Sequence, residues 1–329
     1  MAAARWIDFA GQAIFHTLVA ALVVEALVRL WRVRLPDQRT GLRLLALAWP
    51  LLVVPTLFFA FPMREEEAFQ VRALFAARRW DDVALLGVGL YGWWVAAMAL
   101  CGLILFLMDL VPLLRSRSPA PPPLPSRSPA GERTRRALAQ AASALEMAEP
   151  PLAFLGEGPP ALYCTGARRP VVVVSRDAVD LLDDAELRGA LAHELAHLER
   201  RDPALGWALM AARALMWFNP GVQVLVRAMA RDAERIADER AASATGDRLA
   251  LASGLLKLYR ATEGRLPRSG GSDLPFPAAL AEPVARARAH DVAQRCRSLI
   301  DPAPERLSHS AFRLGAVAAG LFLLLFFVV

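Results

Sequence analysis

Four stretches of the chain are apolar for long enough to approach the roughly 20 helical residues that cross a hydrocarbon core of about 30 Å. They are Phe9 to Leu30, Leu44 to Phe61, Val83 to Leu114 and Phe312 to Val329. Glu25 interrupts the first, and no small-residue cleavage site follows it, so it is expected to be an uncleaved span rather than a signal peptide. The second is short and carries Pro50 and Pro55, and the fourth runs to the last residue. After the third span, residues 115–131 are rich in Pro, Ser and Arg and cannot bury a core, which predicts an extended linker. Residues 132–308 have globular composition, and about 175 residues suffice for one domain. The pattern along the chain is therefore spans in 1–114, a linker in 115–131, a domain in 132–308 and a last span in 309–329.

Within that domain the periodicity changes several times. Arg135 to Met147 is Ala/Leu-rich and helical, and Leu152–Leu155, Ala161–Cys164 and Pro170–Val174 are short runs bounded by Gly and Pro that predict three strands. Asp183 and Asp184 can cap a helix through Leu187, Leu191, His193 and His197 to about Arg200. An apolar helix from Ala204 to Phe218 stops at Asn219-Pro220, where a longer helix starts and reaches about Ala242. Whether 204–218 lies on the membrane or in the core is open at this stage. Further helices are expected at 247–262 and 283–300, separated by a Gly/Pro/Ser loop at 266–277. The fold class this predicts is α+β: about four transmembrane helices and a domain with a small sheet.

The hydrophobic content, 56% of 329 residues, agrees with a chain partly in lipid. Its charge of +6 comes almost wholly from arginine, the one lysine being Lys257. Arg29, Arg32, Arg34, Arg39 and Arg43 follow span one; Arg115, Arg117, Arg127, Arg133, Arg135 and Arg136 follow span three; Arg295, Arg297, Arg306 and Arg313 precede span four. Only Arg5, Arg64, Arg72, Arg78 and Arg79 lie on the other side, so the positive-inside rule predicts a multi-pass membrane protein with its domain in the cytoplasm and both termini outside. Cys101, Cys164 and Cys296 form no paired framework and fit reduced thiols. No basic patch with interleaved aromatics points to nucleic acid, and no motif for an organic cofactor is present.

Two of the five histidines stand in His193-Glu194-Leu195-Ala196-His197. Four residues are just over one helical turn, so both imidazoles project from one face toward a common cation, with the glutamate beside them to hold a water. Two histidines leave a tetrahedral zinc short of a third protein ligand. On the helix after Asn219, Glu234 and Asp238 share a face, so Glu234 can bind metal while Asp238 accepts a hydrogen bond from a ligand imidazole; the same charge-rich run also fits a solvated helical face.

Four segments in order, Arg169–Val174, His193–His197 followed by Arg200-Arg201-Asp202, Trp217–Pro220 and Glu234-x-x-x-Asp238, resemble the BlaR/MecR-type integral-membrane zinc metallopeptidases, relatives of the HtpX-like membrane proteases. The resemblance covers most of 169–241 and implies a zincin-like domain. It also implies one Zn2+ held by His193, His197 and Glu234, with Glu194 as general base and Asp238 behind a ligand. Asn219, His290, Arg240 and Arg295 are the candidates for steadying an oxyanion; relatives carry a His and then an Arg near the end of the domain, and here Arg295 follows His290 by five residues. An ordinary exposed histidine is the competing reading of His290. Val171 to Val174 is the candidate edge strand for an extended substrate, with a buried central strand as the alternative. Gly189 either admits a close neighbour to the metal helix or is simply tolerated there. No role beyond capping or local hydrogen bonding is assigned to Asp202.

The antibiotic-sensing members continue into a penicillin-binding sensor domain after their last span, and no Ser-x-x-Lys follows the last span here, so β-lactam sensing is not expected. A sensing input would have to come from a regulatory partner, from the bilayer, or from the loop Met63 to Asp82. The expected function is a membrane-embedded zinc endopeptidase cutting a cytoplasmic or membrane-proximal protein, for example a transcriptional repressor. The alternative is a non-catalytic signalling or scaffold protein that keeps the fold. A transporter has little support, since the spans show no paired halves.

Overall fold

The structure, a computed structural model, describes residues 2–33, 35–73, 76, 80, 83–115, 128–155, 160–165, 169–263, 278–302 and 310–328. Most of the expected linker and the expected loop at 266–277 lie outside the described residues. In chain order the elements are α1 (Ala2–Leu30), α2 (Pro36–Ala48), α3 (Val54–Ala60), α4 (Glu67–Arg72), β1 (Ala84–Leu85), β2 (Val88–Gly89), α5 (Leu90–Arg115), α6 (Pro129–Ala144), β3 (Leu152–Leu155), β4 (Leu162–Thr165), β5 (Val171–Ser175), α7 (Arg176–Leu181), α8 (Asp184–Glu199), α9 (Asp202–Leu215), α10 (Pro220–Thr245), α11 (Arg248–Glu263), α12 (Ala278–Ile300) and α13 (Ser310–Phe326). They form two compact units, one of residues 1–117, 207–232 and 305–329, the other of residues 118–206 and 233–304. The stretch 207–232, expected to belong to one continuous domain with its flanks, groups with the spans.

In the first unit, three helical stretches are long and apolar enough to cross a membrane: Trp6–Leu30, Pro36–Ala60 and Leu90–Leu110. The expected fourth span is α13, whose 17 residues rise only about 25 Å, short of the hydrocarbon thickness. The third span starts at Leu90 rather than Val83, because residues 84–89 form a hairpin that turns at Leu86 and Gly87, both at positive φ. In the second span, Pro50 has no N–H to continue the α-helical ladder, and the helix passes through a π turn at Trp49–Val53 between α2 and α3. The core of this unit joins α1, α2 and α13 through Ala13, Ala20, Val24, Leu42, Ala46 and Leu321.

The second unit is built around a three-stranded sheet of order β3-β5-β4, with β3 parallel and β4 antiparallel to β5. The valine strand is therefore central: Val172, Val173 and Val174 are all buried, and the expectation of an edge at 171–174 is corrected. A run apolar on both faces is best buried on both faces, so it takes the middle position and leaves β4, with alternate residues exposed, at the edge. The helix α8 starts with a capping box in which the Asp183 carboxylate accepts the Glu186 N–H and the Glu186 carboxylate accepts the Asp183 N–H. Its inner face, Leu187, Leu191 and Leu195, packs in a core with Leu138, Val172, Val174 and Leu251.

Glu186 is buried at this helix start, yet it also accepts from Ser253 Oγ at 2.6 Å and from Lys257 Nζ at 2.6 Å. A buried carboxylate so paired ties α11 to α8. Gly189 admits that neighbour: a Cβ there would lie 3.4 Å from the backbone Cα of Leu251. Of its two readings, close packing is the one the fold uses.

Candidate metal centre

His193 and His197 project from α8 on one side, with ring centroids 4.8 Å apart and planes at 90°. Their Nε2 atoms are 3.2 Å apart. From α10, Glu234 turns one oxygen to each ring: Oε2 is 3.5 Å from His193 Nε2, and Oε1 is 3.6 Å from His197 Nε2. These three residues form the group that can hold a metal ion among the described residues. Donors about 2.05 Å from a tetrahedral zinc stand about 3.3 Å from one another, and the observed separations bracket that spacing. The residues thus fit the ion in both donor type and spacing.

A carboxylate stands behind each imidazole. Asp202 Oδ2 is 2.8 Å from His197 Nδ1, which leaves the ring's Nε2 turned to the centre. Asp202 is brought there by a tight turn: α8 ends at Glu199, and Arg201 takes a left-handed φ of 58° before α9 begins. Asp238 Oδ1 is 3.0 Å from His193 Nδ1, close enough for a charge contact though off the direction of a formed hydrogen bond. Such outer carboxylates set the tautomer and raise the basicity of a metal-binding imidazole.

Arg295 of α12 closes the arrangement. Its Nε and Nη2 each donate to Asp238 at 2.7 Å, and its Nη1 lies 2.9 Å from Glu234 Oε2. This forked contact fixes both carboxylates of α10 and reaches Nη2 to within 3.4 Å of His193 Nε2. The charges respond accordingly. Burial disfavours a protonated His193, but the Asp238 and Glu234 carboxylates outweigh it and hold the pKa up at about 9. Burial pushes Glu234 and Asp238 up, and His193 with Arg295 overrides this to bring both down to about 2. The Glu234 and Asp238 carboxylates thus favour positive charge at His193.

Glu194 lies against the edge strand, where its Oε2 accepts the Cys164 N–H at 2.9 Å. Burial raises its pKa, partly offset by the two histidines. Burial also pushes the Cys164 thiol up to about 12, so that sulfur stays protonated and is a poor nucleophile.

The other candidates are placed elsewhere. Asn219 belongs to the first unit, fully buried, with its amide spent on Ala13 O and Thr17 Oγ1. Arg240 is exposed and forks onto Glu199. His290 is exposed and bonds Gln294 Nε2 at 2.7 Å. Only Arg295 of the four is at the centre, where it braces carboxylates. From the sequence Asp202 was assigned only capping or local hydrogen bonding, and its place just past the end of α8 was the signal for the bond to His197. The sequence had no signal for the Arg295 brace, which joins residues 57 positions apart.

Residues 125–269 match the BlaR1 peptidase M56 family, a stretch that contains the residues named above except His290, Gln294 and Arg295 of α12 and the α1 partners of Asn219. The chain is 31% identical over 144 residues to a protease HtpX homolog of Salinibacter ruber, covering 35% of this chain and 52% of that protein. It is 30% identical over 159 residues to one of Methanopyrus kandleri, covering 38% and 50%. It is 31% identical over 156 residues to one of Methylibium petroleiphilum, covering 37% and 55%. No solved structure matches the chain at a significant level. Its similarity is thus to the HtpX/BlaR-like membrane metallopeptidases, as the motifs imply. The chain spans about half the length of the curated relatives it matches.

Proposed function

We propose that this protein is a membrane-embedded, zinc-dependent endopeptidase of the bacterial inner membrane, with its metal centre on the cytoplasmic side and a cytoplasmic or membrane-proximal protein, such as a repressor, as substrate. The observation that carries the reading is the convergence of His193, His197 and Glu234 at separations of 3.2, 3.5 and 3.6 Å, from two helices, with Glu194 beside them. His193, His197 and Glu234 would hold one zinc ion. Bound there, zinc supplies the Lewis acidity that lowers the pKa of water to about 7 and polarises a carbonyl.

The protein's own groups supply the rest. Glu194, held by Cys164 N–H through Oε2, uses its other oxygen to take the proton of the attacking water and passes it to the leaving amine. Asp202 keeps His197 Nε2 aimed inward through its hydrogen bond to Nδ1, and Asp238 supplies negative charge beside His193 Nδ1. An extended substrate pairs with β4, the edge strand beside the metal helix, in place of the 171–174 run. The Ser175 N–H bonds Ala161 O, so by strand alternation Leu162 turns its backbone groups away from β5 and toward an incoming chain.

The test is purification in detergent, metal analysis and a casein or self-cleavage assay. About one zinc per chain is expected, with cleavage lost to a chelator and restored by zinc. Cleavage that survives complete chelation, or a pure protein that neither binds zinc nor cuts, overturns the reading; the second outcome favours a scaffold role. A narrower expectation concerns Asp202→Ala, which should weaken zinc binding about 10- to 100-fold, as loss of an outer carboxylate does elsewhere. Chelator-competition titration of the purified variant measures it.

A further inference from the structure

We propose that residues 207–232 form a re-entrant helical hairpin, dipping into the hydrocarbon core from one face of the membrane and returning to that face, with lipid acyl chains against its outer side. This inference rests on the membrane assignment and is independent of the peptidase chemistry.

The hairpin is the end of α9, the turn 216–219 and the first half of α10, all within the unit that holds the three candidate spans. At about 1.5 Å per residue, 207–218 rises about 18 Å and 220–232 about 20 Å, too short to cross a 30 Å core and enough to pass its middle. Its contacts order it by depth. At the base, Asp232 pairs with Arg43, which also binds Glu25 at 2.6 Å; between base and tip, Arg213 and Arg227 both pair with Asp109. At the tip, Asn219 bonds Ala13 O at 3.0 Å and Thr17 Oγ1 at 2.9 Å. On α1, Ala13 lies twelve residues, about 18 Å, from Glu25, matching the about 20 Å between Asp232 and Asn219 on the hairpin. Another seven residues, about 10 Å, separate Ala13 from the far end of the span at Trp6. The tip therefore stops short of the opposite face. On α5 the partner is Gly102, mid-span, where a Cβ would sit 2.5 Å from the Phe218 carbonyl carbon.

A turn placed in hydrocarbon must satisfy its own backbone, since no water reaches it. This one does. Asn219 Oδ1 accepts the Gly221 and Val222 N–H groups, and the Asn219 N–H reaches Met216 O. Gln223 Nε2 donates to Arg213 O and Met216 O, while its Oε1 accepts from Arg213 Nε. Meanwhile the outer side of the arms is bare and apolar: Trp207 is 71% exposed, Leu215 66%, Val224 54% and Trp217 42%. On α5 in the same unit, Leu100 and Ile104 are exposed as well. Lipid is the occupant that matches this surface, because the spans beside it require lipid as well. The arms run on as unbroken helices to Asp202 in one direction and to Glu234 and Asp238 in the other.

Single cysteines at Ala204, Leu215, Trp217, Val224 and Arg231, in a chain with Cys101, Cys164 and Cys296 changed to Ala, test this with a membrane-impermeant maleimide on right-side-out and inverted vesicles. Labelling at 215, 217 and 224 should be at least about tenfold lower than at 204 and 231, which should label from one and the same side. A tip labelled from the opposite side makes the segment a crossing pair, and ready labelling at 215 and 224 places it in water; either overturns the proposal. Should the cysteine-free chain fail to fold, the wild-type chain in bilayers of a phospholipid with an acyl-chain diazirine gives the same answer. Photo-adducts are expected in peptides covering 207–224 as in those covering 90–110, and adducts confined to the latter refute it.

Discussion

Glu194→Gln is expected to lower peptide cleavage by about 10²- to 10⁴-fold while the protein still binds one zinc per chain, the range that loss of a positioned general base brings. The separation of the two readouts follows from where Glu194 stands. It is on the metal helix between the two histidines, but no atom of it joins the His193, His197 and Glu234 group. Its carboxylate accepts the Cys164 N–H, and a glutamine oxygen can accept that bond in the same place. The amide cannot take a proton from water. The edge strand and α8 should therefore stay as they are, and only the proton transfer should fail. Metal analysis with single-turnover cleavage on the same sample checks both halves. Wild-type cleavage in the variant would remove the base from the proposed chemistry, and lost zinc would mean the substitution disturbed the centre itself.

Glu234→Ala should lower zinc affinity by at least about a hundredfold, more than the outer carboxylate Asp202, because it removes a donor and a charge together. The charge matters because of Arg295. Its Nη1 lies 2.9 Å from Glu234 and its Nη2 3.4 Å from His193 Nε2, while Asp238 holds it in position from behind. Without Glu234, that guanidinium faces the two rings with one fewer anion between, and an incoming cation is repelled. Glu234→Gln, which keeps the shape and removes the charge, should bind zinc nearly as poorly. Because Glu234 also pairs with Arg295 and His193 when no metal is bound, both variants should melt somewhat lower as metal-free proteins. Competition against a chelator of known affinity, beside a thermal melt of the metal-free forms, distinguishes lost coordination from lost fold.

The parts of this protein that were legible in the chain are those set by local rules. The i, i+4 spacing of His193 and His197 puts two imidazoles on one side of any helix that contains them, and Asp183 with Glu186 starts that helix by reciprocal capping. Asn219-Pro220 marks where α10 begins, and Glu234 with Asp238 share a side of it for the same reason of period. The expected bounds of β3 and the approximate places of β4, β5 and α11 also hold, since Gly and Pro bracket the strands and caps bracket the helices.

What the chain did not disclose depends on elements that meet across long separations. Strand order is one case: four valines are compatible with an edge or a centre, and only the positions of β3 and β4 on either side make Val172 and Val174 interior. Arg295 is another, listening to no local rule when it forks onto Asp238 from a helix far along the chain. Membership is a third. Residues 204–218 have an apolar pattern that a core helix and a lipid-facing helix share, and the grouping of 207–232 with the spans, through Asn219 on α1 and Asp109 on α5, is settled by packing. The sequence by itself determined the ligating residue types and their helical spacing, because backbone period and capping act within a few residues. Tertiary structure alone decided which carboxylate stands behind which imidazole and what braces it, because those energies arise only when distant helices bring buried charges within about 3 Å of one another.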